Sequence, residues 1–159
     1  MSRMRADDER FLRLAISVAR ESREHGNHPF GALLVDPRGE ALLAAENSVV
    51  TQRDATGHAE LNLVRAATPK YTAEQLKDCT LYSSSEPCPM CAGAIVWSNV
   101  RRVVFGFGMD ALYAMMGADA PGMRLRARAV FEKATSAIEV VGPALEEEAR
   151  AVHEGFWSS

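Results

Sequence analysis

Between the apolar run Cys79 to Ser84 and an apolar stretch ending near Ser98 stand Pro87-Cys88-Pro89-Met90-Cys91. Pro87 ends an extended segment, whereas Pro89 suits a first helical turn, where its missing N–H would have no intrahelical partner. The chain is therefore expected to pass from strand to helix at this point, with Cys88 opening the helix. A strand feeding directly into a helix is the building unit of a layered α/β fold.

The flanking patterns agree. Asp7 and Asp8 are expected to cap a helix whose apolar side is Phe11, Leu12, Ala15, Ile16 and Ala19, stopped by Gly26. Phe30 to Asp36, the turn Pro37-Arg38-Gly39, and Glu40 to Val50 read as a two-stranded hairpin, with Asn47 on one strand. A helix over His58 to Ala67 and a short helical segment over Thr72 to Lys77 precede the strand at 79–84. Beyond the helix reaching Ser98, the spacing predicts a strand Arg101 to Phe107, a mixed loop, a helix from about Met123 to Thr135, a strand Ala137 to Val141 and an acidic helix after Pro143.

With 159 residues, 47% of them hydrophobic, and no repeat or linker-like tract, residues 1–159 are expected to form one domain. At this size roughly 70% of the unfolded chain's surface becomes buried, so a metal is expected to serve chemistry rather than hold the fold together. No apolar run approaches a membrane span, and the charged opening does not resemble a signal peptide, so a cytoplasmic, membrane-free protein is expected. Three cysteines then read as metal ligands, catalysts or buried side chains rather than disulfides. A formal net charge of −3 argues against a broad nucleic-acid surface.

Cys88 and Cys91, three apart on a helix, share a face and can aim both sulfurs at one point, as a tetrahedral zinc site requires. His58 opens another helix and supplies a third ligand, leaving a fourth position for water. Two thiolates already neutralise Zn²⁺, so the metal acidifies that water less than histidines alone would, and a nearby base becomes useful. Glu60 is that base. On a regular helix it would point roughly 200° from His58, so the two converge only by reaching past the first turn. The reading is hydrolysis at an electron-poor ring carbon bearing an amino group, with Glu60 moving the proton and ammonia leaving.

His58-Ala59-Glu60 together with Pro87-Cys88-Pro89-Met90-Cys91 resembles the cytidine deaminase-like superfamily of zinc nucleobase deaminases. The resemblance extends from Pro29-Phe30-Gly31-Ala32 through Asn47 and Asp54-Ala55-Thr56-Gly57 to Arg101-Arg102-Val103-Val104-Phe105-Gly106. It implies a three-layer α/β/α fold, a mixed five-stranded sheet with helices on both faces, and one zinc ion per chain. It further implies that Asn47 hydrogen-bonds the base and that Phe30 walls the pocket. Ala59, Trp97 and Asp119 are expected at the substrate as well, with Asp110 an alternative to Asp119. Pro89 and Trp97 are most similar to bacterial guanine deaminases, which makes guanine the first expected substrate. Isocytosine, cytosine, triazines, pterins and nucleosides stand behind it, because Met109 to Gly122 departs from the guanine deaminase pattern. The tRNA adenosine deaminases compete, but the acidic tail Glu146, Glu147, Glu148 and Glu154 suits a small substrate better than phosphates. A homodimer is also implied, and residues 143–159, ending in Phe156-Trp157, are expected to form a lid or subunit contact.

Blander readings stand beside these. Cys-x-x-Cys at a helix start also suits a redox centre, and a closed structural zinc could draw a fourth ligand from His25 or His28, whose ordinary role would be loop structure. Cys79, some 15–20 Å along the strand from Cys88, reads as a buried small hydrophobe. Asn47 could organise a turn, and Phe30 and Trp97 could be core or contact residues. Arg124, Arg126 and Arg128 would spread around a helix as a solvated face, and Met115-Met116 could fill gaps or touch substrate.

Overall fold

The computed structural model describes residues 3–158. Helix α1 (Asp8–Glu24) leads into the hairpin β1 (Gly31–Val35) and β2 (Ala41–Glu46), then α2 (Val49–Gln52), α3 (Ala59–Ala67) and α4 (Ala73–Leu76). Strand β3 (Thr80–Ser85), α5 (Pro89–Ser98), β4 (Arg102–Phe107), α6 (Met109–Met116), α7 (Ala127–Phe131), β5 (Glu139–Val141) and α8 (Glu146–Ala151) complete the order. The strands form one five-stranded mixed sheet in the order β2-β1-β3-β4-β5. β1 runs antiparallel to β2 and β3, while β3, β4 and β5 are parallel.

Side chains alternate across the pleat, so each strand feeds two cores. Ala32, Leu34, Leu81, Val103, Phe105 and Val140 pack with residues of α3, α5 and α7. Leu33, Val35, Tyr82, Val104 and Val141 pack with residues of α1 and α8. This double burial explains the unbroken apolar run of β1, all of whose residues are buried. Gly31 answers a close approach: a Cβ there would lie 2.5 Å from both the Ala15 oxygen and the Ala19 nitrogen of α1. No helix among the described residues is long and apolar enough to cross a membrane.

Several expectations need correction. Asp7 makes no side-chain cap of α1, and Asp8 is buried, accepting from the Arg5 amide (2.6 Å) and the Tyr82 hydroxyl (2.6 Å) and pairing with Arg102 at 2.7 and 2.8 Å. β2 stops at Glu46, so Asn47 follows the strand rather than belonging to it, and a short helix takes the residues expected to extend it. The stretch after β4 forms α6 instead of a loop, because its first amide, Met109, donates to Glu86 at 2.9 Å and Met109 and Leu112 are buried. The helix expected from 123 begins only at Ala127. Arg124 instead lies 4.1 Å from the Tyr113 ring centre and donates to the carbonyls of Gly117 and Ala118. Arg126 pairs with Asp110, and Arg128, within α7, donates to the carbonyls of Val140 and Gly142, so these arginines tie neighbouring segments together rather than spread as a solvated helix face.

Candidate metal centre

Sheet register gathers the site at one end of the strands. β1 begins where antiparallel β2 and β3 end, with Gly31 opposite Glu46 and Ala32 opposite Ser83. The residues flanking those strand ends, Phe30, Asn47 and the turn from Ser85 to Cys88, therefore meet. The Asn47 amide donates to the Phe30 carbonyl at 3.1 Å, and the Gly31 amide to Ser84 Oγ at 3.0 Å.

His58 and Cys88 are both N-cap residues with extended backbone, of α3 and α5 respectively, and Pro89 occupies the first turn of α5. His58 Nδ1 lies 3.4 Å from Cys88 Sγ and 3.6 Å from Cys91 Sγ. Zn–S and Zn–N bonds of about 2.3 and 2.0–2.1 Å at a tetrahedral angle require an N···S separation of about 3.6 Å, so the donors fit a zinc ion. All the ligand atoms lie within 4.8 Å of one another, and among the described residues no fourth His, Cys, Asp or Glu joins the set. That argues against a closed structural zinc. All three cysteines are free thiols, and Cys79 is buried, its thiol donating to the Gln75 carbonyl at 3.4 Å.

Because His58 caps the helix instead of lying within it, the helical offset from Glu60 does not separate them. Glu60 is buried, 6% exposed. Burial is the main cause raising its pKa to about 7, and the neighbouring Cys88 charge adds to it; its own backbone N–H, the His58 charge and the Ser83 hydroxyl pull the other way. Cys88 is lowered to about 4, chiefly by a hydrogen bond from Cys91, with His58 assisting; Cys91 is raised correspondingly by sharing its proton with Cys88. Cys88 likewise holds His58 above its usual value. The protein groups alone thus favour a thiolate at Cys88 and a carboxyl at Glu60 able to change protonation near neutrality.

Asn47 is buried and accepts the Val49 amide at Oδ1 (3.0 Å), which fixes its amide plane and leaves Nδ2 free to donate. Ala59 is fully buried in the first turn of α3. Phe30 is half-buried, its ring centre 5.3 Å from that of His153 and 6.2 Å from that of Trp157. Trp97, by contrast, is 90% exposed at the end of α5. It lies about 14 Å along the helix from Cys88 at 1.5 Å per residue. Asp119 is exposed after α6, and Asp110 is exposed and held by Arg126; neither joins the ligand set.

Sequence reasoning missed two side chains here. His153 is fully buried, receives the Trp157 indole N–H at 3.1 Å and packs on Phe30 and Phe107. Glu86 accepts from the first amides of both α6 and α7, at 2.9 Å each. The Glu-Pro-Cys context of Glu86 offered a signal, and for His153 the only one was the lid expected of residues 143–159.

The family description "Cytidine and deoxycytidylate deaminase zinc-binding region" matches residues 5–107. A probable cytosine deaminase of Schizosaccharomyces pombe is 41% identical over 152 residues, covering 94% of this chain and 92% of that protein. The guanine deaminase of Bacillus subtilis is 43% identical over 98 residues, 61% of this chain and 62% of its own. A solved guanine deaminase from Nitrosomonas europaea superposes with a TM-score of 0.77 at 26% identity, covering 96% of this chain and 85% of that one.

Proposed function

Because the chain belongs to the cytidine and deoxycytidylate deaminase zinc-binding family, we propose that it hydrolytically deaminates a free nucleobase, with guanine as the lead substrate. The observation that carries the choice of a free base is the chain's own C-terminal segment, which closes over Phe30 with Trp157 and His153. Arg23 ties that segment to α1 through the carbonyls of Val152 (3.0 Å) and Glu154 (2.6 Å). A tRNA loop would have to displace it past an acidic helix, α8.

His58, Cys88 and Cys91 hold zinc, which when bound supplies a Lewis acid that makes water nucleophilic near neutral pH. Glu60 accepts a proton from the attacking water and passes it to the ring nitrogen beside the reacting carbon. It then takes the second proton from the hydroxyl now on that carbon and delivers it to the amino group, so the O–H and C–N bonds break, a carbonyl remains and ammonia leaves. A carboxyl with a pKa near 7 suits both directions of transfer. Asn47 Nδ2 donates to an acceptor on the base, Ala59 presents its backbone at the same helix start, and Phe30 with the C-terminal aromatics excludes bulk water. Asp119 and Trp97 act, in this reading, away from the reacting atoms.

Guanine is supported by the superposition with a guanine deaminase, which covers 96% of this chain. Cytosine is the second reading, supported by the full-length match to the Schizosaccharomyces pombe protein. Metal content and ammonia release measured on guanine, cytosine, isocytosine, adenosine and tRNA decide between them. Turnover of tRNA but of no free base would overturn the proposal, and a zinc-loaded protein inert to the whole panel would return it to a binding module.

A homodimer and a cytoplasmic location complete the reading. Met90, Gly93 and Trp97 line one exposed side of α5, beside a cavity of about 350 Å³ formed with Val96, Val130 and Ile138, which supports a subunit contact there. Light scattering should give twice the mass of 17.3 kDa, and Trp97→Glu should shift it toward the monomer. The unpaired cysteines support a reducing compartment.

A further inference from the structure

His28 takes no part in the chemistry described so far. Its carbonyl accepts from the buried Ser22 hydroxyl at 2.7 Å and from the Phe30 amide at 2.8 Å. The same hydroxyl lies 3.3 Å from the Asn47 carbonyl. One buried side chain of α1 therefore binds the backbones of His28 and Asn47 to each other and sets the distance between them.

The imidazole of His28 is not so fixed. It is half-buried and lies edge-on to Phe156 and Trp157, with ring centres 5.8 and 5.6 Å away. Among the described residues its hydrogen bonds run only through its carbonyl, so both ring nitrogens are open. His25, three residues earlier, differs: it is exposed and held by Glu46 at 2.9 Å. Burial is the first cause lowering the His28 pKa, which favours the neutral ring. A neutral imidazole offers one donor and one acceptor. That pairing matches the alternating N–H, ring nitrogen and carbonyl groups along the edge of an uncharged heterocycle, and does not attract a phosphate.

We propose that His28 is a substrate-binding residue that reads the edge of the heterocycle not engaged by Asn47, and so determines which free base is accepted. This rests on the deaminase reading above. Ser22 is then a positioning residue, since it sets the spacing of the two contacts from the far side of the backbone.

The test uses zinc-loaded, full-length protein. His28→Phe keeps the packing against Phe156 and Trp157 but removes both nitrogens, and His28→Gln restores a donor and an acceptor. For the preferred base, His28→Phe should raise KM about tenfold, the size expected for one lost hydrogen bond to a buried polar group, with kcat within threefold. The ranking of guanine, cytosine and isocytosine should change, zinc content should not, and His28→Gln should recover most of the KM. If His28→Phe fails to fold, His28→Ala carries the same expectation. Unchanged KM and ranking in a folded, zinc-loaded variant that deaminates bases overturns the role of His28 alone. Protein with His28 intact that neither deaminates nor binds any base, the latter followed by Trp157 fluorescence in a Trp97→Phe background, overturns the deaminase reading as well.

Discussion

Glu60 combines burial with a neighbouring thiolate, and that combination produces a carboxyl that holds its proton up to about pH 7. A carboxylate in water at that pH would be a poor proton donor; burial here brings the group to the range that the proposed two-way proton transfer requires. Glu60→Gln preserves volume and does not touch the ligand atoms, so zinc content should be unchanged by atomic absorption while kcat falls about 10²–10⁴-fold. Loss of the metal in that variant would instead make Glu60 part of the ligand shell. His58, Cys88, Cys91 and Glu60 were all legible in the sequence, because metal ligation demands particular residue types at particular spacings. Trp97 was legible only by resemblance, and its exposure shows how little a residue's motif position says about the direction it faces.

At the level of elements, the C-terminal segment is tied down by a few polar contacts and one buried imidazole. His153 has its pKa lowered to about 4, first by burial and then by the charge of Arg23. In the unfolded chain it accepts a proton near its usual value of about 6.5, so the folded state loses stability as pH falls from about 6.5 through about 4. The effect amounts to roughly 3 kcal/mol at the acid end, from the gap between about 6.5 and about 4. His153→Phe should flatten the dependence of the denaturation midpoint on pH across that window. A variant with the wild-type slope would show that His153 is not kept neutral by the fold. The contact of β1 with α1 is equally demanding. Gly31→Ala places a methyl group against helix backbone that cannot move aside, and should destabilise the protein by about 1–3 kcal/mol in urea titration.

Across the whole molecule, the buried pair Asp8–Arg102 joins the first helix to the fourth strand. Asp8 is 1% and Arg102 5% exposed, and Glu139 lies 3.3 Å from Arg102 Nε, so three distant parts of the sequence share one charge cluster. Removing Asp8 strips the buried Arg102 of its buried partner and leaves it only the partly exposed Glu139. Asp8→Ala should therefore cost about 3–5 kcal/mol and lower Tm by roughly 10 °C in calorimetry, while leaving zinc content intact at temperatures below the transition. Asp8 looks in sequence like a helix cap, and nothing local distinguishes a capping aspartate from one whose partner is 94 residues away. The same limit explains α6 and the late start of α7. Glu86 anchors the first amides of both helices from 23 and 41 residues away, contacts that no local window contains. What the amino-acid order determined by itself was the strand-to-helix passages, the two apolar faces of the sheet and the donor set, since periodicity and ligand chemistry act over a few residues. Only the tertiary structure decided that Asn47, Phe30, His28 and the C-terminal aromatics come together. Their meeting depends on antiparallel register and on hydrogen bonds between distant segments.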